Sequence, residues 1–199
     1  MSAANSMRAD IVPVGQDQAS HVELAREIAR SFDERFARIF PVPVALAPKS
    51  GTLPGTDGSP KMSRSVGNTI NLFDDAETVR TKVMGMYTDP SRLRATDLGH
   101  LDGNPVFAYH DAFNPDVDEV VDLKARYVAG RVGDVEVKRR LVAALNAFLD
   151  PIRQRRNDLL AENPTIVEDV LRTGAARARR EAGETIRQVR TAMQIDYFE

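Results

Sequence analysis

The 199 residues include no cysteine and no tryptophan, only three histidines, and just 6% aromatic side chains. Without cysteine the chain has no thiol nucleophile, no cysteine-held zinc and no redox sensor, which fits a reducing cytosol. The histidines His21, His100 and His110 share no His-x-x-x-His or similar spacing and stand beside no recognisable nucleophilic serine, so no metal site is expected. His21 reads as a helix-surface or capping residue, and the other two as loop or helix-start residues. Long apolar runs are also missing. The longest, Phe40 to Pro48 (FPVPVALAP), is under half a bilayer span and carries three prolines, so neither a membrane span nor a membrane partner is expected. The opening MSAANSMRAD lacks the basic start and apolar stretch of a secretory signal, and the expected address is the cytoplasm.

What is present is the composition of a globular protein, 42% hydrophobic and 28% charged, long enough for one large or two small domains. The net charge of -2 hides a segregation of sign. Between Lys124 and Arg190 there are 15 Lys and Arg against 9 Asp and Glu, leaving 12 against 20 elsewhere. A basic end of this kind is either the solvated side of amphipathic helices or a face for a polyanion.

Along the chain, Asp10 to Val14 (DIVPV) is a short β-branched run closed by Gly15, which suits a strand ending in a turn. From Ala25 the apolar residues Ala25, Ile28, Ala29, Phe32, Phe36, Ile39 and Phe40 follow helical spacing, and Val42 to Leu46 is a second strand candidate. Residues 48–68 hold four glycines and three prolines without periodicity and predict a long loop. Helices are expected afterwards. One is opened by Asp74 with Glu77 as a capping box and runs through Tyr87, and another is opened by Asn104-Pro105. Three more are expected near 116–129, at 134–160 with Pro151 as a kink, and at 164–193.

Two features suit chemistry. Gly15-Gln16-Asp17-Gln18 stands where a strand turns into a helix, a place that exposes backbone N–H groups; Asp17 is suited to a ribose and Gln18 to an amine, or the tetrapeptide is simply a turn with an Asp cap. Lys61-Met62-Ser63-Arg64-Ser65 puts two cations and two hydroxyls on the Gly-rich loop, where they could neutralise the charge of a leaving pyrophosphate. Paired acids at Asp74-Asp75, Asp116-Asp118-Glu119 and Glu168-Asp169 fall in helix first turns and are structural by default.

In combination, ADIVPVGQDQ, GTLPGTDGSPKMSRSVGN, KVMGMYTDP, GNPVFAYHDAF, GRVGDVEVKRRL and LDPIRQRRN resemble, in order from Arg8 to Tyr197, the tryptophanyl-tRNA synthetases, a class I aminoacyl-tRNA synthetase family. KMSRS is similar to the KMSKS loop of class I enzymes, with Arg64 in place of the second lysine, a planar fork for a point charge. The resemblance implies α/β structure followed by an all-α region. Residues 1–73 would be the C-terminal half of a Rossmann-like catalytic domain, and residues 74–199 a helical anticodon-binding domain.

It further implies a tryptophan–tRNA ligase that uses ATP with Mg2+ and no protein-held metal. Gly15, Gln16 and Asp17 would contact the ATP ribose, Leu53 or Thr52 the adenine, and Lys61, Met62, Ser63, Arg64 and Ser65 the phosphates, with Lys61 and Arg64 catalytic. Gln18 would hold the amino acid, and Val12 and Val14 would wall the indole pocket. The tRNA would meet basic residues among Lys138, Arg139, Arg140, Arg153, Arg155, Arg156, Arg177, Arg179 and Arg180, with Arg153, Arg155 and Arg156 the leading candidates. Only MSAANSM precedes Arg8, leaving no place for the first strand and HIGH-type loop of the family. Where the family has an Asp for the indole N–H, Ala3 or Asn5 stands here. The expectation is a C-terminal portion that works with a separate N-terminal half or as a homo-oligomer, and whose half-sheet exposes an edge and an apolar face; the alternative is a non-catalytic remnant that binds tRNA or a partner.

Overall fold

The computed structural model describes residues 3–15, 18–47 and 52–197, and they divide into two compact units. Unit 1 comprises Met1–Gly51 with Asn163–Glu199, and unit 2 is Thr52–Glu162. These packing units do not fall at residue 73. Leu53, Met62 and Ile70 pack on the helical core of unit 2, and the last long helix falls with the two strands.

Unit 1 begins with α1 (Ala3–Ser6), β1 (Ile11–Pro13), α2 (Ala19–Arg35) and β2 (Val44–Leu46). β1 and β2 pair in parallel, with Ile11 opposite Val44 and Pro13 opposite Leu46, and α2 is the crossover that a parallel pair requires. Small residues let α2 approach closely: its buried positions are Val22, Ala25 and Ala29. The apolar spacing predicted a helix as far as Phe40, but α2 stops at Arg35. Asp33 is the cause, since its Oδ1 accepts from the backbone N–H groups of Ile39 (3.0 Å) and Phe40 (3.2 Å) and turns the chain. Phe40 is thereby buried edge-on to Phe32, with ring centroids 5.1 Å apart.

Unit 2 contains α3 (Ala76–Met84), α4 (Pro105–Phe113), α5 (Val117–Val128) and α6 (Asp134–Glu162). α4 is central, with five buried residues, and α6 faces it with a stripe of Val137, Leu141, Leu145 and Leu149 at intervals of four. α6 continues through Pro151 to Glu162. The cap at Asn104 forms as expected, and Asp116, expected only as a first-turn acid, caps α5; each accepts a backbone N–H of its own first turn. At α3 the cap is Asp75 rather than Asp74, and it accepts from Thr78 N–H at 2.6 Å. Asp74 binds Lys82 and the Asn71 N–H instead, and Glu77 binds Arg80. Burial would raise the Asp74 carboxyl, but the Lys82 and Asn71 hydrogen bonds outweigh it and hold the group below the carboxylate range.

Three charged or polar side chains hold unit 2 from within. Arg92, its side chain fully buried, donates to the carbonyls of Ala95, Asp97 and Val132, approaches Asp134 at 3.4 Å and lies 4.1 Å over the Tyr127 ring. Lys138, expected among the RNA contacts, is buried: its Nζ donates to Met84 O (3.0 Å) and Met86 O (2.6 Å), where a cation meets the open carbonyls of a helix end. His110 is neither a loop nor a helix-start residue but sits near the end of α4, fully buried, with Nε2 3.0 Å from Val137 O and Nδ1 3.2 Å from Asn114 Nδ2. The remaining helix, α7 (Ile166–Ala192), belongs to unit 1 and packs with α1, and its one buried residue is Thr185. No helix among the described residues is long and apolar enough to cross a membrane.

Candidate functional site

The loop of unit 2 that carries Lys61 to Ser65 has no regular structure but is tied together by side chains. Asn68, 5% exposed, lies at its centre. Its Oδ1 accepts the Ser63 N–H at 2.7 Å, and its Nδ2 reaches Asp57 Oδ1 (2.9 Å), Ser59 Oγ (2.8 Å) and Lys61 O (3.4 Å). Hydrogen bonds from the Ser59 hydroxyl, then from Asn68, hold the Asp57 carboxyl below its ordinary range. Gly55 permits this knot, because a Cβ there would lie 2.3 Å from Asn68 Nδ2 and 2.4 Å from Asp57 Oδ1.

The other side of the loop is fixed by α4. Tyr109 OH is 3.0 Å from Met62 Sδ and 3.0 Å from Pro54 O, and burial pushes its pKa up to about 12, so the hydroxyl keeps its proton. Met62 N–H donates to Leu53 O at 3.4 Å, and the Leu53 side chain packs against the core. Ser63 O accepts from both Val66 and Gly67 N–H, and the hydroxyls of Ser63 and Ser65 are 2.9 Å apart. Lys61, Arg64 and Ser65 are exposed on this braced scaffold, an arrangement suited to a multiply charged anion. Beside it lies a cleft of about 580 Å³ between Pro54, Gly58 and Pro60 and the start of α4. Of its charged walls Asp102, Asp111 and Lys124, the last two are paired at 2.6 Å.

In unit 1, Val12 and Val14 share the half-buried face of β1, and Gly15 follows at the carboxyl end of the strand, where open parallel sheets bind ligands. Gly15 O accepts from Gln18 N–H at 2.9 Å, and Gln18 is the N-cap residue of α2. Gln16 and Asp17 lie outside the described residues. Ala3 is exposed at the start of α1, whereas Asn5 is buried with Nδ2 3.2 Å from Ala25 O. Gly15 and Gln18 thus belong to one unit and the Lys61 loop to the other.

The three arginines of α6 differ from one another. Arg153 is mostly buried, donating to Asn146 Oδ1 (3.0 Å) and Asp150 Oδ1 (2.7 Å), and its Nε and Nη2 are buried without a hydrogen bond. Arg155 and Arg156 are exposed, and the Arg156 guanidinium lies 4.9 Å from the centre of the exposed Phe73 ring. Among the described residues no three His, Asp or Glu side chains converge on a metal position. Sequence reasoning missed Asn68, Asp57, Gly55 and Tyr109. The Asp57-Gly58 and Gly67-Asn68 turns were the available signal, but nothing local says that they meet.

A parallel strand–helix–strand element and a KMSRS loop built onto a helical unit are parts of the class I synthetase architecture. The family described as tRNA synthetases class I (W and Y) matches residues 2–150, and the chain belongs to it. Among its relatives, the tryptophan–tRNA ligase of Treponema pallidum is 56% identical over 188 residues, covering 94% of this chain and 56% of that protein. The tryptophan–tRNA ligase of Chlamydia caviae is 44% identical over 188 residues, covering 94% and 54%. The crystal structure of the Campylobacter jejuni tryptophanyl-tRNA synthetase complexed with ADP and tryptophan superposes with a TM-score of 0.69 at 31% identity, covering 96% of this chain and 60% of that one. The chain thus spans about half the length of the curated relatives it matches.

Proposed function

We propose that the chain supplies the phosphate-binding loop and helical region of a tryptophan–tRNA ligase. Residues 1–73 serve the catalytic domain and residues 74–199 the anticodon domain. The observation that carries this reading is the KMSRS segment braced by Asn68 and Tyr109 with its cations outward, in a member of the tryptophan and tyrosine synthetase family. The naming of the relatives favours tryptophan over tyrosine.

In the reaction, a carboxylate oxygen of tryptophan attacks the α-phosphorus of ATP, and the bond to the bridging oxygen of pyrophosphate breaks. Lys61 and Arg64 neutralise the charge that gathers on the leaving pyrophosphate, and Met62, Ser63 and Ser65 shape the loop around it. Gly15, Gln16 and Asp17 hold the ribose, Val12 and Val14 the indole, and Gln18 the amino group. The Leu53 side chain is packed, so its adenine contact is through main chain or through Thr52. Mg2+ enters on the nucleotide phosphates. A ribose hydroxyl at the 3′ end of the tRNA then attacks the activated carbonyl and AMP leaves. Arg155 and Arg156 are the leading anticodon-side contacts, while Arg153 is mostly buried and held by Asn146 and Asp150.

The remaining phosphate donors are assigned to a HIGH-bearing portion of the enzyme, which the 199 residues do not include. The test is tryptophan-dependent ATP–pyrophosphate exchange, with and without that portion of a relative added in trans. Exchange is expected only with both present. Absence of exchange in the mixture, with both components folded, overturns the reading.

A further inference from the structure

We infer that Asn68 is a positioning residue that holds the Lys61 and Ser63 main chain in the one conformation able to present the loop's cations to a nucleoside triphosphate. The ligand named here rests on the ligase reading above; the positioning itself rests on geometry. Asn68 follows Gly67, which has φ +81°, so the chain reverses tightly and carries the amide back beneath the segment it supports. Both ends of that amide are engaged, Oδ1 with the Ser63 N–H and Nδ2 with Asp57, Ser59 and Lys61 O. It therefore joins the Thr56–Ser59 turn to the Lys61–Ser63 segment of the loop, which otherwise meet through one long hydrogen bond from Ser59 Oγ to Lys61 O (3.4 Å). The turn is anchored in its own right, through Tyr87 N–H to Thr56 O (2.8 Å) and Gly55 N–H to Ser59 O (2.8 Å). Asn68 passes that rigidity to a segment whose charged side chains are exposed, and a preorganised anion site depends on such support.

The test uses the full chain, the probe N-methylanthraniloyl-ATP with Mg2+, and amide exchange read by NMR. Asn68→Ala is expected to weaken probe binding at least roughly tenfold and to speed exchange of the Ser63 amide by a similar factor, while the α4 and α6 amides keep their protection. Should that variant lose the protection of α4 and α6 as well, Asn68→Asp decides. It sets a second carboxylate against Asp57, so the donor is lost at pH 8. At pH 5.5 a proton shared between the two carboxylates restores it, and affinity relative to the wild type should recover there. Wild-type affinity in Asn68→Ala, unchanged Ser63 exchange, or a pH-independent Asn68→Asp defect overturns the inference and leaves the ligase reading standing. Failure of the wild-type chain to bind the probe, both alone and with the HIGH-bearing portion of a relative added, overturns both.

Discussion

The two units differ in how completely they bury their apolar side chains. Unit 2 closes a core between α3, α4, α5 and α6, in which Val79, Val83 and Leu141 are fully buried. Unit 1 leaves Ile11, Val44 and Leu46 exposed on one sheet face, Leu24 and Ile28 on α2 with Phe36 just past its end, and Val167, Val170 and Leu171 on α7. A two-stranded sheet is too small to stand without cover on both faces. Unit 2 thus has the energetics of a self-sufficient fold, whereas unit 1 has those of a piece shaped to be covered.

The largest expected effect falls inside unit 2. Arg92→Ala removes a buried guanidinium that donates to three carbonyls, one of them buried, and the cation over Tyr127, and should cost about 3–5 kcal/mol in denaturant unfolding. A loss below about 1 kcal/mol would show that the hub is dispensable.

The second effect is set by pH. Burial pushes the His110 pKa down, only partly opposed by the hydrogen bond to Val137 O, so the unfolded chain takes up the proton more readily than the folded one. The stability of unit 2 should therefore be full above the ordinary histidine pKa of about 6.5 and fall as the pH drops below it. The lowered carboxylates Asp57, Asp74 and Asp75 act in a separate, more acidic window. His110→Gln should flatten the unfolding midpoint between pH 7 and 5; an unchanged slope would assign the dependence elsewhere.

Charge reversal compares the units directly. Arg155→Glu with Arg156→Glu in unit 2 should weaken binding to a tryptophan tRNA at least roughly tenfold, about 1.4 kcal/mol, and lessen the slope of log affinity against log salt. Arg30→Glu with Arg38→Glu in unit 1 should change both less, and equal effects would make the basic helices an ordinary solvated surface. The smallest effect is expected on the open sheet face: Leu46→Ser should shift stability by no more than about 0.5 kcal/mol, because Leu46 is 61% exposed, yet it should impair assembly with the HIGH-bearing portion.

What could be read from the sequence divides in the same way. The cap at Asn104, the two strands and the long α6 depend on neighbouring residues and were legible. The end of α2 was not, because Asp33 reaches six and seven residues ahead to take two backbone donors. Nor were the burial of Lys138 and His110, since their partners are carbonyls 52 and 27 positions away. In the candidate site the KMSRS segment was plain from its residues, while its supports, Asn68 and Tyr109, are defined by packing across as many as 55 positions.

Amide hydrogen exchange of the full chain, alone and with the HIGH-bearing portion of a relative, tests the account most directly. Alone, amides around Leu141 and Leu145 should exchange only through global unfolding, and those of Ile11, Val12, Val14 and Val44–Leu46 much faster. Addition of that portion should protect β1, β2 and α2 and leave the core of unit 2 unchanged. Equal protection of both regions in the isolated chain, or no response of β1 and β2 to the added portion, would contradict it.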